Sequence, residues 1–138
     1  MVRFKGKLYL LPTPIDEQGL ESIPSEAIRI MHSLEHFIVE RARTSRRYIS
    51  STKPPKKIEG LIIEEMPEDV ANTKLMEAQM QPLLDGKDMG ILSEAGMPAL
   101  ADPGSKYVAI AQRLGIRVVP LAGPSSIMMA LIAYGLEG

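Results

Sequence analysis

The feature that most limits what this chain can become is the alternation of short apolar runs with segments whose apolar residues recur at helical spacing. Lys7–Leu11, Phe37–Glu40, Ile58–Ile63, Asp88–Leu92 and Arg117–Leu121 read as five strands. Helices are predicted between them over Pro24–Leu34, with Ala27, Ile30, Met31 and Leu34 on one face, then over Arg43–Ser50, Glu68–Leu84 and Lys106–Leu114, with a last one over Ser125–Ala133. Ser22 or Ser25 is placed to cap the first helix, Asp102-Pro103 has the form of a cap followed by proline, and Gly115 marks a helix end. Parallel strands need crossover connections, so this alternation predicts an α/β fold: a three-layer domain with a five-stranded, mostly parallel sheet covered on both faces.

A chain of 138 residues with 45% hydrophobic content makes one domain with a real core. There is no cysteine, hence no disulfide framework and no thiolate metal site, and His32 and His36 do not form a zinc centre with anything near them in sequence. No apolar run approaches the roughly 18 residues of a membrane span, and the stretch after Met1–Lys7 is too short for a signal peptide. These features predict a cytoplasmic protein with no metal and no membrane contact.

A formal net charge of −1 conceals a strong asymmetry. Arg41, Arg43, Arg46, Arg47, Lys53, Lys56 and Lys57 fall in segment 41–57, which has no acid, while the rest of the chain carries 9 basic and 17 acidic residues. Such a segment is either a solvated helix and loop or a face for a polyanion. Of the four tyrosines only Tyr48 lies inside it, so Tyr9, Tyr107 and Tyr134 read as core or edge residues; Met76, Met80, Met128 and Met129 read as helix packing.

Three clusters follow predicted strands and so gather at one end of the sheet: Pro12-Thr13-Pro14, Ser93–Gly104 and Gly123-Pro124-Ser125-Ser126. Ligands of open α/β sheets sit just past the carboxyl ends of strands. Gly96 and Gly123 permit close backbone approach, which ordinary tight turns need as well. Neither GxGxxG after the first strand nor GxxxxGK[ST] occurs, which argues against a dinucleotide-binding dehydrogenase or a nucleoside triphosphatase.

The motifs YLLPTPI, SEAGMPALADPG and VVPLAGPSS, in this order and each at a strand end, resemble those of the tetrapyrrole methylase family, and within it the ribosomal RNA small subunit methyltransferase I group. The resemblance runs from Gly6 to about Leu136. It implies the N-terminal α/β domain, residues 1–138, of an S-adenosylmethionine-dependent methyltransferase whose C-terminal domain is absent from this chain and whose cofactor binds between the two domains. By position in the motifs, Pro12, Glu94, Ala95, Gly96, Met97, Leu100, Ala101, Ser125 and Ser126 match the loops that line the cofactor. An adenosyl group needs an apolar slot with a few placed polar groups, and small residues let the backbone come close.

The implied reaction is 2′-O-methylation of a cytidine in small subunit ribosomal RNA, with segment 41–57 facing the RNA and the protein forming a homodimer. Where the RNA-modifying members read Pro-Ile-Gly-Asn, Glu-Asp-Thr-Arg and Ser-Asp-Ala-Gly-Thr-Pro, this chain has Pro14-Ile15-Asp16-Glu17, Glu40-Arg41-Ala42-Arg43 and Ser93-Glu94-Ala95-Gly96-Met97-Pro98. Transfer to a hydroxyl calls for a base near the nucleophile; Glu40 and Glu94 stand at strand ends, where a carboxylate is as often a cap or an ion-pair partner, and no catalytic residue is assigned. The alternatives are a methylase of a corrin or porphyrin precursor and an inactive domain that serves as an interaction module.

Overall fold

The computed structural model describes residues 4–14, 22–69, 71–92 and 104–121. Its strands are β1 (Leu8–Leu11), β2 (His36–Val39), β3 (Ile62–Glu65), β4 (Met89–Leu92) and β5 (Val118–Pro120). They lie in the order β3-β2-β4-β1-β5, and every pairing is parallel. The helices are α1 (Ser25–Ser33), α2 (Ala42–Ser51), α3 (Thr73–Gln79), α4 (Gln81–Leu84) and α5 (Gly104–Arg113). The α/β architecture expected from the alternation is the one found.

Side-chain alternation divides the core into two layers. Leu8, Leu10, Ile38, Met89 and Ile91 point to the side of α3, α4 and α5, where they pack with Met76, Met80, Leu83, Tyr107 and Ile110. Leu11, Phe37, Val39 and Leu92 point to the opposite side, against Met31 and Leu34 from the α1 region and Ile49 of α2. The middle strand, β4, is buried at all four positions, which is why its sequence reads as an unbroken apolar run. It contains Gly90, where a Cβ would stand 2.5 Å from Leu11 Cδ1 and 3.0 Å from Leu34 Cδ1. The missing side chain lets the α1-side layer close over the strand.

Several sequence expectations need correction. The third strand does not occupy Ile58–Ile63: Ile58–Gly60 form a 3-10 turn, and pairing starts at Ile62 and runs on through Glu64 and Glu65. The strand lies at the sheet edge, where a carboxylate pair is tolerated and discourages edge-to-edge pairing. The single helix expected over Glu68–Leu84 is two. Asn72 caps α3 by accepting from the Leu75 N–H at 3.2 Å, and the helix stops before Pro82, which lacks an N–H and sits in the first turn of α4. Neither Ser22 nor Ser25 caps α1; its cap residue is Pro24, whose carbonyl accepts from Ala27 and Ile28. Gly115 does follow the end of α5, with φ at +72°. Asp102, Pro103 and the helix predicted over Ser125–Ala133 lie outside the described residues, as do Met128, Met129 and Tyr134.

Tyr107, Met76 and Met80 are fully buried, as expected of core residues. The Tyr107 hydroxyl donates to Gln79 Oε1, and Gln79 Nε2 donates to the Glu65 carbonyl at 2.8 Å. This chain of bonds ties α5 to α3 and to the carboxyl end of β3. Burial, with a contribution from the charge of Glu64, raises the pKa of the Tyr107 phenol, so it stays a neutral donor.

Candidate functional site

Leu11 and Leu92 are register partners on neighbouring strands, and Leu121, just past β5, donates its N–H to the Leu10 carbonyl at 3.1 Å. The chain therefore leaves β4, β1 and β5 at adjacent points of the carboxyl edge of the sheet, where the three sequence clusters begin. β1 is followed by α1 on one face of the sheet and its neighbour β4 by α5 on the other. Neighbouring strands followed by helices on opposite faces mark the position at which α/β proteins bind ligands.

Of the residues assigned to the cofactor, Pro12 lies among those described. It is buried directly after β1, with Thr13 beside it, and its carbonyl accepts from the Tyr48 hydroxyl at 3.4 Å. Glu94, Ala95, Gly96, Met97, Leu100, Ala101, Ser125 and Ser126 lie outside the described residues. Glu40 is half-buried, one residue past β2.

A cleft of about 380 Å³ adjoins this edge, between Thr13-Pro14 and helix α2. α2 presents Thr44, Arg47, Tyr48 and Ser51 to it, a set at spacings i, i+3, i+4 and i+7 that forms one stripe on the helix. Ser45 and Ile49 are the buried residues of the helix and hold it to the sheet. Arg43, Arg46 and Arg47 are exposed, as are Lys53 and Lys57 beyond the helix, and none of the five is in an ion pair among the described residues. Lys56 pairs with Glu35 at 3.0 Å, which holds the Glu35 carboxyl below its usual range.

Polar bonds from elsewhere in the chain position α2. The carboxylate of Glu65, at the end of β3, accepts from the Ala42 N–H at 2.8 Å and so caps a helix that has no acid in its own first turn. Past its other end, Thr52 Oγ1 donates to the Ile49 carbonyl at 2.6 Å and lies 2.8 Å from His32 Nε2. With the single hydroxyl proton engaged, the imidazole is the donor in that pair. Partial burial lowers the pKa of His32. Burial pushes the Tyr48 phenol up to about 12, so the side chain that lines the cleft is neutral.

The sequence reading singled out Arg47 and Tyr48 as parts of a basic segment but missed Thr44, Ser45 and Ser51. The signal was their helical spacing with Arg47 and Tyr48. A second depression of about 290 Å³ lies at the amino end of the sheet, lined by Ser33, Leu34, Glu35, His36, Lys87 and Asp88, where charges of both signs are mixed. Among the described residues no helix is long and apolar enough to cross a membrane, and no group of three or more potential ligands is placed to hold a metal ion.

No family model matches the chain. It is, however, 32% identical over 132 residues to the ribosomal RNA small subunit methyltransferase I of Halalkalibacterium halodurans, a match covering 96% of this chain and 43% of that protein. The proteins of the same name from Bacillus subtilis and Escherichia coli O157:H7 are 31% and 30% identical, over 95% and 96% of this chain and 42% and 43% of their own lengths. The chain thus spans less than half the length of these relatives. Nearly the whole chain takes part in each match, so the resemblance carried by its three strand-end motifs is borne out: over about 95% of its length the chain is similar to proteins named ribosomal RNA small subunit methyltransferase I.

Proposed function

We propose that the chain is the cofactor-binding α/β domain of an S-adenosylmethionine-dependent methyltransferase that modifies the 2′-hydroxyl of a cytidine in small subunit ribosomal RNA. The observation that carries this reading is the match of about 95% of the chain to proteins named for that substrate. The parallel sheet supports it, since it launches the three motif loops from neighbouring strands at the edge where α/β proteins bind ligands. The corrin or porphyrin alternative is not favoured by these relatives.

In this reading Pro12 and the loop residues Glu94, Ala95, Gly96, Met97, Leu100 and Ala101 line the cofactor slot, and Ser125 and Ser126 close it from the β5 side. Bound S-adenosylmethionine supplies a methyl group on a sulfonium. The protein's task is to hold the ribose oxygen in line with that methyl and keep competing water out. The cations of segment 41–57 draw in the RNA backbone. The protein works in the cytoplasm as a homodimer, and a second domain completes the cofactor crevice.

Titration calorimetry with S-adenosylhomocysteine, paired with a methyl-incorporation assay on unmodified small subunit RNA, tests the reading. Saturable one-to-one binding is expected of this domain, and cofactor-dependent methyl transfer of the domain joined to its second domain. Absence of both binding and incorporation overturns it.

A further inference from the structure

Resting on the RNA reading above, we propose that the cleft between Thr13-Pro14 and α2 is a nucleotide subsite, seating one nucleotide of single-stranded RNA with its phosphate on Arg47. Its volume of about 380 Å³ lies within the range of small-ligand sites. Its lining combines apolar surface from Pro14 and Tyr48 with the hydroxyls of Thr44, Ser45 and Ser51, and among the described residues it includes no carboxylate. A nucleotide needs this mixture: a flat apolar wall for the base, small donors and acceptors for the ribose, and one cation for the phosphate.

Among the described residues Arg47 is the cation of the lining, and no carboxylate there pairs with it. Its planar fork is suited to two phosphate oxygens. Tyr48 cannot repel the anion because its phenol remains protonated, and its bond to the Pro12 carbonyl fixes the wall of the cleft to the edge proposed for the cofactor. Arg43 and Arg46 extend the positive field along the same helix. The subsite thus adjoins the methyl-transfer edge, where an RNA strand running across the domain would be gripped next to its reactive nucleotide.

The test is fluorescence anisotropy of the full chain with a labelled single-stranded oligoribonucleotide of about nine nucleotides at low and at higher salt. Arg47→Gln is expected to weaken binding about tenfold. Ser51→Phe keeps every charge but fills the cleft, and is expected to do the same, whereas Lys57→Gln removes the same charge from an exposed position outside the lining and costs about two- to threefold. All three residues are exposed, so the fold tolerates the changes. Should the wild-type chain bind while Arg47→Gln and Ser51→Phe behave like Lys57→Gln, the subsite is overturned and the RNA reading stands. A wild-type chain that binds no RNA at either salt, or that holds polyglutamate as tightly as RNA, overturns both.

Discussion

On the α3–α5 side of the sheet the described residues include a cluster of 13 buried side chains, among them Met76 of α3, Leu83 of α4, Tyr107 of α5 and Met80 between α3 and α4. On the α1–α2 side the corresponding cluster has seven, and α2 adds one fully buried apolar side chain to it, Ile49. The richer layer is sealed by a buried polar chain from Tyr107 through Gln79 to the Glu65 carbonyl, whereas α2 is fastened at its ends by Glu65 and Thr52. One layer thus supplies cohesion. The other uses its helix as a platform for polar and cationic groups, and loose apolar anchorage is the condition for leaving so much of that helix uncovered.

This contrast is open to direct attack. Met80→Ala, in the richer layer, should lower the unfolding free energy measured in urea by about 3 kcal/mol, while leaving the RNA affinity of the folded protein unchanged; Arg47→Gln should do the reverse, with a stability change within about 0.5 kcal/mol. A Met80→Ala protein as stable as the wild type would erase the distinction. Tyr107→Phe leaves the buried Gln79 side-chain oxygen without its donor and should cost about 1 to 2 kcal/mol in the same measurement. Glu65→Ala removes the cap on α2 and should cost about 1 kcal/mol. Its sharper signature is hydrogen exchange, faster in the first turn of α2 and unchanged in α3.

The smallest effect concerns pH. His32 has a folded pKa below its ordinary 6.5, so the unfolded chain takes up the proton first and stability falls as pH drops through that value. Thermal unfolding between about pH 8 and about pH 5.5 should show a steeper decline for the wild type than for His32→Gln. Parallel declines would mean that the partial burial of His32 does not disfavour its charged form.

The parts of this fold legible in the sequence are those where one local rule dominates. β1, β2 and β4 are apolar runs bounded by polar residues, and α1 and α5 carry apolar faces, so each declared itself within two or three residues of its observed ends. β3 did not, because Glu64 and Glu65 contradict a strand pattern that only an edge position excuses. Pro82 was visible, yet apolar residues on both sides of it imitated one continuous helix. The cleft was legible only in part, because its two walls are distant in sequence and meet where Tyr48 bonds the Pro12 carbonyl, 36 residues away. The stripe of Thr44, Arg47, Tyr48 and Ser51 is not legible in apolar periodicity, because it is written in polar residues.

The reach of Glu65 to Ala42 has a directional consequence. The amide end of a helix ordinarily attracts phosphate, but on α2 that end is already taken by a carboxylate from the neighbouring strand. Any anion recruited by this helix is therefore met from the flank, where Arg43 and Arg47 stand one above the other with a rise of about 6 Å. In the RNA reading proposed above, the helix is a rail laid alongside its guest and not a socket that receives it end-on, which leaves a polymer free to enter and to leave at either end.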